Sequence, residues 1–257
     1  MKQSAHDTRA YRAPRRAEQD EQARVLGEAL QGVAIDAALP YAPQVQRALR
    51  EAIVSLRLMP GTPLSEAAVA AVLGLSRTPV REALRDLQTV GLIDIFPQAG
   101  TVVSPIRIRL IEQEVFVREA LEGANLLDVM KGLDAAGRAR IDALIEIQGR
   151  HLEAGDVAGF FASDEAMHRL FFELSGRLPV WTLVNQAKQH IDRARLLLTR
   201  DNLALCRVAF EEHRGLVRAL FDGDEAALRA ALHGHVESVA EAVLAYHRQS
   251  PSNWFVD

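Results

Sequence analysis

Between residues 92 and 104 the apolar residues change period, and that change constrains the fold more than any other feature of the 257-residue chain. "LIDIF" (92–96) and "TVVS" (101–104) alternate as strands do, around the turn-rich "PQAG", which predicts a β-hairpin. The readable patterns before it, and everything after Pro105, have helical spacing instead. A lone hairpin set between helices fixes where one domain ends and the next begins.

Three helices lead into the hairpin. Val45, Leu49, Ile53 and Leu56 mark the first, which "MPG" at 59–61 stops. "SEAAVAAVL" forms the second, with Ser65 as N-cap and Gly74 as stop. "SRTPVREALRDLQTVG" forms the third, with Ser76 at the N-cap, Pro79 in the first turn and Gly91 at the close. Three helices followed by a two-stranded hairpin is the order of a winged helix-turn-helix, here over 39–105. Residues 1–38 form an N-terminal extension. Its first 20 or so residues are polar enough to stay mobile. "EQARVLGEALQGVAIDAAL" is an amphipathic helix weakened by two glycines.

After Pro105 helices are predicted near 107–131, 134–154, 156–175, 179–199, 202–221 and 224–248, with Gly132, Gly155, Gly176, Asp201-Asn202 and Gly223 at the boundaries. The chain is therefore mainly α: an N-terminal winged helix-turn-helix and, over 106–250, a C-terminal antiparallel all-helical bundle. The tail 251–257 carries no readable signal.

A net charge of −4 argues against a generally basic nucleic-acid coat protein but permits local basic patches. Cys206 is the only cysteine, so neither an intrachain disulfide nor a cysteine-based zinc site is available, as expected in a reducing cytoplasm. No apolar run approaches the roughly 20 residues that span a bilayer. The N-terminus also lacks the apolar core of an export signal. No membrane partner is expected.

The third helix carries a basic face. Arg77, Arg81 and Arg85 stand four residues apart and drift only about 40° around the axis, while Val80, Leu84 and Leu87 face the other way. Arginine's planar fork suits phosphate oxygens and the O6/N7 edge of guanine. Thr78 can add a contact to phosphate or a thymine methyl. Glu82 and Asp86 could instead pair with these arginines and leave only a solvated face. The helix-turn-helix order and the wing favour DNA.

At these residues the chain resembles the DNA-binding domain of GntR-type bacterial regulators, through "AIVSLRLMPGTPLSE", "VLGLSRTPVREALRDLQTVGLIDIFPQAGTVV" and the glycine of the wing. The resemblance implies a recognition helix in the major groove and a wing tip in the minor groove. Ser76, Arg77, Thr78 and Arg81 then contact DNA, Arg85 extends the stripe, and Gly100 lets the wing backbone approach. Two positions depart from the family: Leu56 stands where a glycine is common, and Ala67 where some members carry an arginine.

In the helical half, "SDEAMH" sets Asp164 one turn ahead of His168, both able to ligate a metal. A lone D-x-x-x-H is a weak signal. His213, however, is flanked by the apolar stripe of Leu216, Val217 and Leu220. His235 adjoins Leu232 and Val239 on the last helix, while His233 is turned away by about 200°. Three helices can thus bring Asp164, His168, His213 and His235 to one interior point. Buried histidines bonded without metal are the competing arrangement.

This half is similar to the all-helical FCD ligand-sensing domain of the FadR-type subfamily, through "DEAMH", "EHRGL" and "HV". The resemblance implies a metal on one Asp and three His, with positions left for an effector carboxylate. Such a ligand set suits zinc or nickel better than calcium or magnesium. Arg118 would hold the acid's far end, unless it pairs with Glu122 at i+4. Arg177 stands where an asparagine is common, and Arg193 and Arg195 are left between pocket and solvent. No H-E-x-x-H and no glycine-rich phosphate loop occurs, and Glu165 points about 100° from Asp164. No catalytic residue is therefore expected. The alternatives, a metal-dependent hydrolase or a metal-stabilised structural module, leave the winged helix without a purpose. The expectation is a cytoplasmic homodimeric repressor that reads a short inverted repeat in operator DNA and responds to a small carboxylate effector.

Overall fold

The computed structural model describes residues 16–97, 100–200, 202–249 and 254–257. Residues 1–15, the tip of the wing turn and Asp201 lie outside them, whereas residues 16–20, expected to be mobile, are the first turns of a helix. The chain divides into two compact units, 1–105 and 106–257.

In the first unit, α1 (Arg16–Ala29), α2 (Tyr41–Val54), α3 (Glu66–Leu73) and α4 (Arg77–Thr89) precede β1 (Ile93–Phe96) and β2 (Gly100–Val103). The strands pair antiparallel, Ile93 opposite Val103 and Phe96 opposite Gly100. The chain before α3 pads the hairpin: Leu64 N–H donates to Thr101 C=O at 2.8 Å and Val103 N–H to Thr62 C=O at 2.9 Å. Leu49, Ile53, Leu64, Val69, Val80, Leu84, Leu87 and Leu92 form the core. Leu26 and Leu30 join it, so the first helix is part of this unit; it starts earlier than the apolar pattern suggests and ends at Ala29. Ser65 caps α3 by accepting from Ala68 N–H.

Helix α2 stops at Val54, before the predicted "MPG" stop, because Leu56 takes the left-handed conformation, φ 59°. Among the described residues it is the sole non-glycine with positive φ. This is the position where the family often has glycine. A Cβ there costs roughly 1–2 kcal/mol, of which glycine's larger backbone entropy takes back about half. Leu56→Gly is accordingly expected to raise the unit's stability by about 0.5–1 kcal/mol in urea unfolding. A loss of stability would show that the Leu56 side chain contributes more packing than its backbone loses.

The second unit holds β3 (Ile106–Arg107), α5 (Ile108–Gly132), α6 (Ala135–Glu153), α7 (Val157–Leu174), α8 (Leu178–Ala187), α9 (Gln189–Thr199), α10 (Leu203–Asp222), α11 (Glu225–Gln249) and β4 (Phe255–Val256). Neighbours run antiparallel: Arg140 meets Glu173 across α6 and α7, while Arg138 reaches Phe221 C=O and Gln148 reaches His213 across α6 and α10. Asp134, Asp156 and Asn202 cap α6, α7 and α10 with their side chains, and the left-handed Gly223 ends α10. Ile141, Met167, Phe171, Leu216, Leu220, Leu232 and Val236 fill the centre.

Two features escape the sequence reading. The helix predicted over 179–199 breaks at Lys188. Lys188 Nζ is buried between Glu165 (2.7 Å) and Asp192 (2.6 Å), and the Glu114 carboxylate of α5 accepts from His190 N–H (3.0 Å) and Ile191 N–H (2.8 Å). A remote carboxylate thereby caps a new helix, α9, in place of the continued backbone ladder. The tail, too, has structure: β4 pairs in parallel with β3, and Ile106 N–H donates to Trp254 C=O at 2.7 Å.

Candidate metal centre and DNA-binding face

Asp164 and His168 project from one face of α7, His213 comes from α10 and His235 from α11. Burial forces the meeting: the four are at most 3% exposed, and one ligand atom from each lies within 4.8 Å of the others. His213 Nε2 stands 3.0 Å and His168 Nε2 3.7 Å from Asp164 Oδ1.

The outward ring nitrogens face oxygens: His213 Nδ1 is hydrogen-bonded to Gln148 Oε1 at 2.7 Å and His235 Nδ1 to Glu212 Oε2 at 2.9 Å, while His168 Nδ1 lies 2.8 Å from Glu122 Oε2 as an ion-pair contact without hydrogen-bond geometry. An ionised carboxylate can only accept, so His235 Nδ1 carries the proton it shares with Glu212. Gln148 spends its amide N–H groups on Ser163 C=O and Met167 Sδ, which turns its oxygen to His213. The Nε2 atoms of His213 and His235 therefore point lone pairs inward, and His168 Nε2 faces Asp164 beside them. None of them, nor Asp164 Oδ1, makes a hydrogen bond.

The electrostatics agree. Burial pushes His235 well below the ordinary imidazole range and lowers His213. Burial alone would raise Asp164, but Arg195, His213 and His168 outweigh it and hold the carboxyl well below the usual carboxylate range. Glu122 is likewise lowered, because Arg118 and His168 overcome its burial. A lowered His213 and His235 beside an ionised Asp164 suit the protonation states that a metal ion requires of such ligands. Four buried acceptor atoms facing one another repel unless a cation lies between them, so the residues fit a divalent transition metal.

Arg118 is fully buried; its Nε donates to Glu122 Oε1 at 2.6 Å, while Nη1 has no acceptor. The i+4 pairing with Glu122 is thus formed, with one donor to spare. Arg195, left open by the sequence, points inward: Nη2 reaches Asp164 Oδ2 at 2.9 Å and the guanidinium lies over the Phe161 ring. Arg193 is also buried, whereas Arg177 pairs with Asp128 at the surface. His233 is exposed and paired with Glu119. Sequence reasoning missed Gln148 and Glu212. Gln148 left a trace, since it follows Ile141 and Ile145 and precedes Leu152 on the buried stripe of α6, where an apolar residue belongs.

On α4, Arg77, Thr78, Arg81 and Arg85 are exposed, with Val80, Ala83, Leu84 and Leu87 buried behind them. Ser76 holds the N-cap position yet makes no capping bond, which leaves its hydroxyl uncommitted to the helix. Arg81 is not paired with Glu82 or Asp86; Glu66 of α3 takes its Nε and Nη2, each at 2.8 Å. Gly100 has φ 103°, a conformation that side chains rarely adopt.

Comparison with known proteins places both halves. Residues 42–103 match the family described as bacterial regulatory proteins, gntR family, and residues 114–238 match the FCD domain. The chain is 36% identical to an uncharacterized HTH-type transcriptional regulator in an unstable DNA locus of Streptomyces ambofaciens, over 81% of this chain and 87% of that protein. It is 30% identical to the HTH-type transcriptional repressor RspR of Escherichia coli, over 84% and 94%. Among solved structures, E. coli McbR/YncC shares the fold, with a TM-score of 0.65 at 22% identity over 83% of this chain and all of that one. Among the described residues no helix is long and apolar enough to cross a membrane. A winged helix-turn-helix joined to an FCD helical domain, with relatives of this similarity over most of its length, makes this chain a member of the GntR family: a DNA-binding transcriptional regulator and not an enzyme.

Proposed function

We propose that the protein is a repressor whose operator affinity is set by a small carboxylate bound at a metal centre of Asp164, His168, His213 and His235. The observation that carries the reading is the gathering of three imidazole Nε2 atoms and a carboxylate oxygen, all buried and all without a hydrogen bond. Zinc or nickel suits the donor set. The bound ion would supply positive charge and open positions for a carboxylate, and Arg118 Nη1 offers a buried donor to the acid. The repressor assignment draws on the E. coli relative.

Transmission would run along α9. Arg195 near its C-terminal end holds Asp164, and at its start His190 Nδ1 accepts the Arg107 N–H, two residues beyond the end of the DNA-binding unit. A shift of α9 thus reaches the chain segment that leads into the winged domain. Two protomers would read an inverted repeat through Ser76, Arg77, Thr78, Arg81 and Arg85, with Gly100 at the wing. The test is binding to a DNA fragment that the protein selects from a random pool. Zinc-loaded and chelator-stripped protein are titrated with straight-chain acids from acetate to decanoate. At least one acid should weaken DNA binding of the loaded form by about 5–150-fold, the range of ordinary coupling energies. Identical DNA affinity in every condition would refute the reading.

A further inference from the structure

The sequence leaves the chemistry of the acid beyond its carboxylate open, and a cavity outside the four ligands bears on it. Between α7, α9, α10 and α11 lies a space of about 50 Å³ walled by Phe160, Phe161, Leu198, Cys206 and Val239. Arg195 lines it and brings a charge to its inner end, next to Asp164. Stacking over Phe161 and pairing with Asp164 hold that guanidinium in place. A groove of about 490 Å³ shares Leu198, Leu205 and Ala242 with this space and continues to Tyr246 and Trp254. The two adjoin along these shared residues; Arg195 stands at the inner space, apolar side chains make up most of both walls, and Arg200 and Asn202 add polar groups to the outer groove.

Such walls discriminate among acids. A polyhydroxy acid would leave hydroxyls unpaired against Leu198, Leu205 and Ala242, at a cost of about 1–3 kcal/mol each. A hydrocarbon tail gains there by leaving water. The inner space admits only a few methylene-sized groups, which favours a narrow chain over a ring at that point. We propose that the effector is a monocarboxylate with a hydrocarbon tail, its head at the metal centre on the side where Arg195 pairs with Asp164, and its tail along Leu198, Leu205 and Ala242 toward Trp254. This inference rests on the carboxylate-sensing reading and narrows it.

The test titrates zinc-loaded, full-length protein with acetate, butanoate, hexanoate, octanoate and decanoate by calorimetry, with 1-octanol as the uncharged control. Affinity should rise about two- to fourfold per methylene, and 1-octanol should bind at least tenfold more weakly than octanoate. Tryptophan emission should change once the tail is long enough to reach Trp254, and that change should vanish in Trp254→Phe. Ala242→Phe and Leu205→Phe, which plug the shared stretch, should keep zinc content and acetate affinity while losing the gain with length. Equal affinity across the acids, or octanoate binding untouched by both plugs, overturns the tail site but leaves carboxylate sensing in place. Octanol binding as tightly as octanoate overturns the placement of the head. Absence of binding by every acid, acetate included, overturns the carboxylate reading and this inference with it.

Discussion

Arg81→Ala is expected to weaken operator binding by about 1–3 kcal/mol, the loss of one base-reading contact, with little effect on random DNA. The stripe it belongs to is exposed and backed by the buried apolar face of α4. The bidentate grip of Glu66 adds a refinement the sequence did not show. At 2.8 Å on two nitrogens, Glu66 fixes the orientation of the guanidinium, and Arg81 above all, with Arg77 and Arg85 adding, keeps Glu66 ionised. Since the Arg81 side chain is 53% and that of Glu66 34% exposed, the pair adds little to stability; its expected role is aim. Glu66→Gln should therefore erode discrimination: it removes a negative charge near the phosphates and so raises affinity for random DNA, while operator affinity gains less. Fluorescence anisotropy on operator and scrambled fragments at fixed salt measures both. Unchanged operator affinity in Arg81→Ala would remove Arg81 from the DNA-reading set.

The second large effect concerns His213. His213→Ala is expected to weaken zinc binding by well over 100-fold, because removing even an outer hydrogen-bond partner of a ligand costs about 10–100-fold. Gln148→Ala, which releases only the His213 Nδ1 hydrogen bond, should fall within that smaller range. A packing defect alone would not order the two variants this way, since it follows the volume removed and not the distance from the ion. Chelator competition measures both affinities, and DNA binding by His213→Ala shows whether the winged unit remains folded. Full zinc retention in that variant would exclude His213 from the centre.

How far the sequence could be read depended on whether a feature is local. The hairpin, the caps at Ser65 and Gly74 and the apolar face of α4 follow from near neighbours in the chain, and they stand where the periodicity put them. His213 and His235 could be singled out because helical spacing tells an inward face from an outward one, and the same geometry turned His233 out. Contacts between distant segments were not legible. The break at Lys188 depends on Glu114, more than 70 residues away, and the pairing of the tail with Ile106 spans nearly the whole helical unit. Glu66 as the partner of Arg81 lies 15 residues off, across the helix-turn-helix, where i+4 reasoning does not look. Gln148 could have been noticed as a polar residue on an apolar stripe, but its partner could not.

Crystals grown with zinc or nickel and no chelator, with diffraction recorded on both sides of the metal's absorption edge, test the central claim most directly. One anomalous peak per chain is expected in the helical unit, about 2.0–2.2 Å from the Nε2 atoms of His168, His213 and His235 and from an oxygen of Asp164. A metal-replete crystal with no peak there, and with those Nε2 atoms hydrogen-bonded to water or to protein, would contradict it.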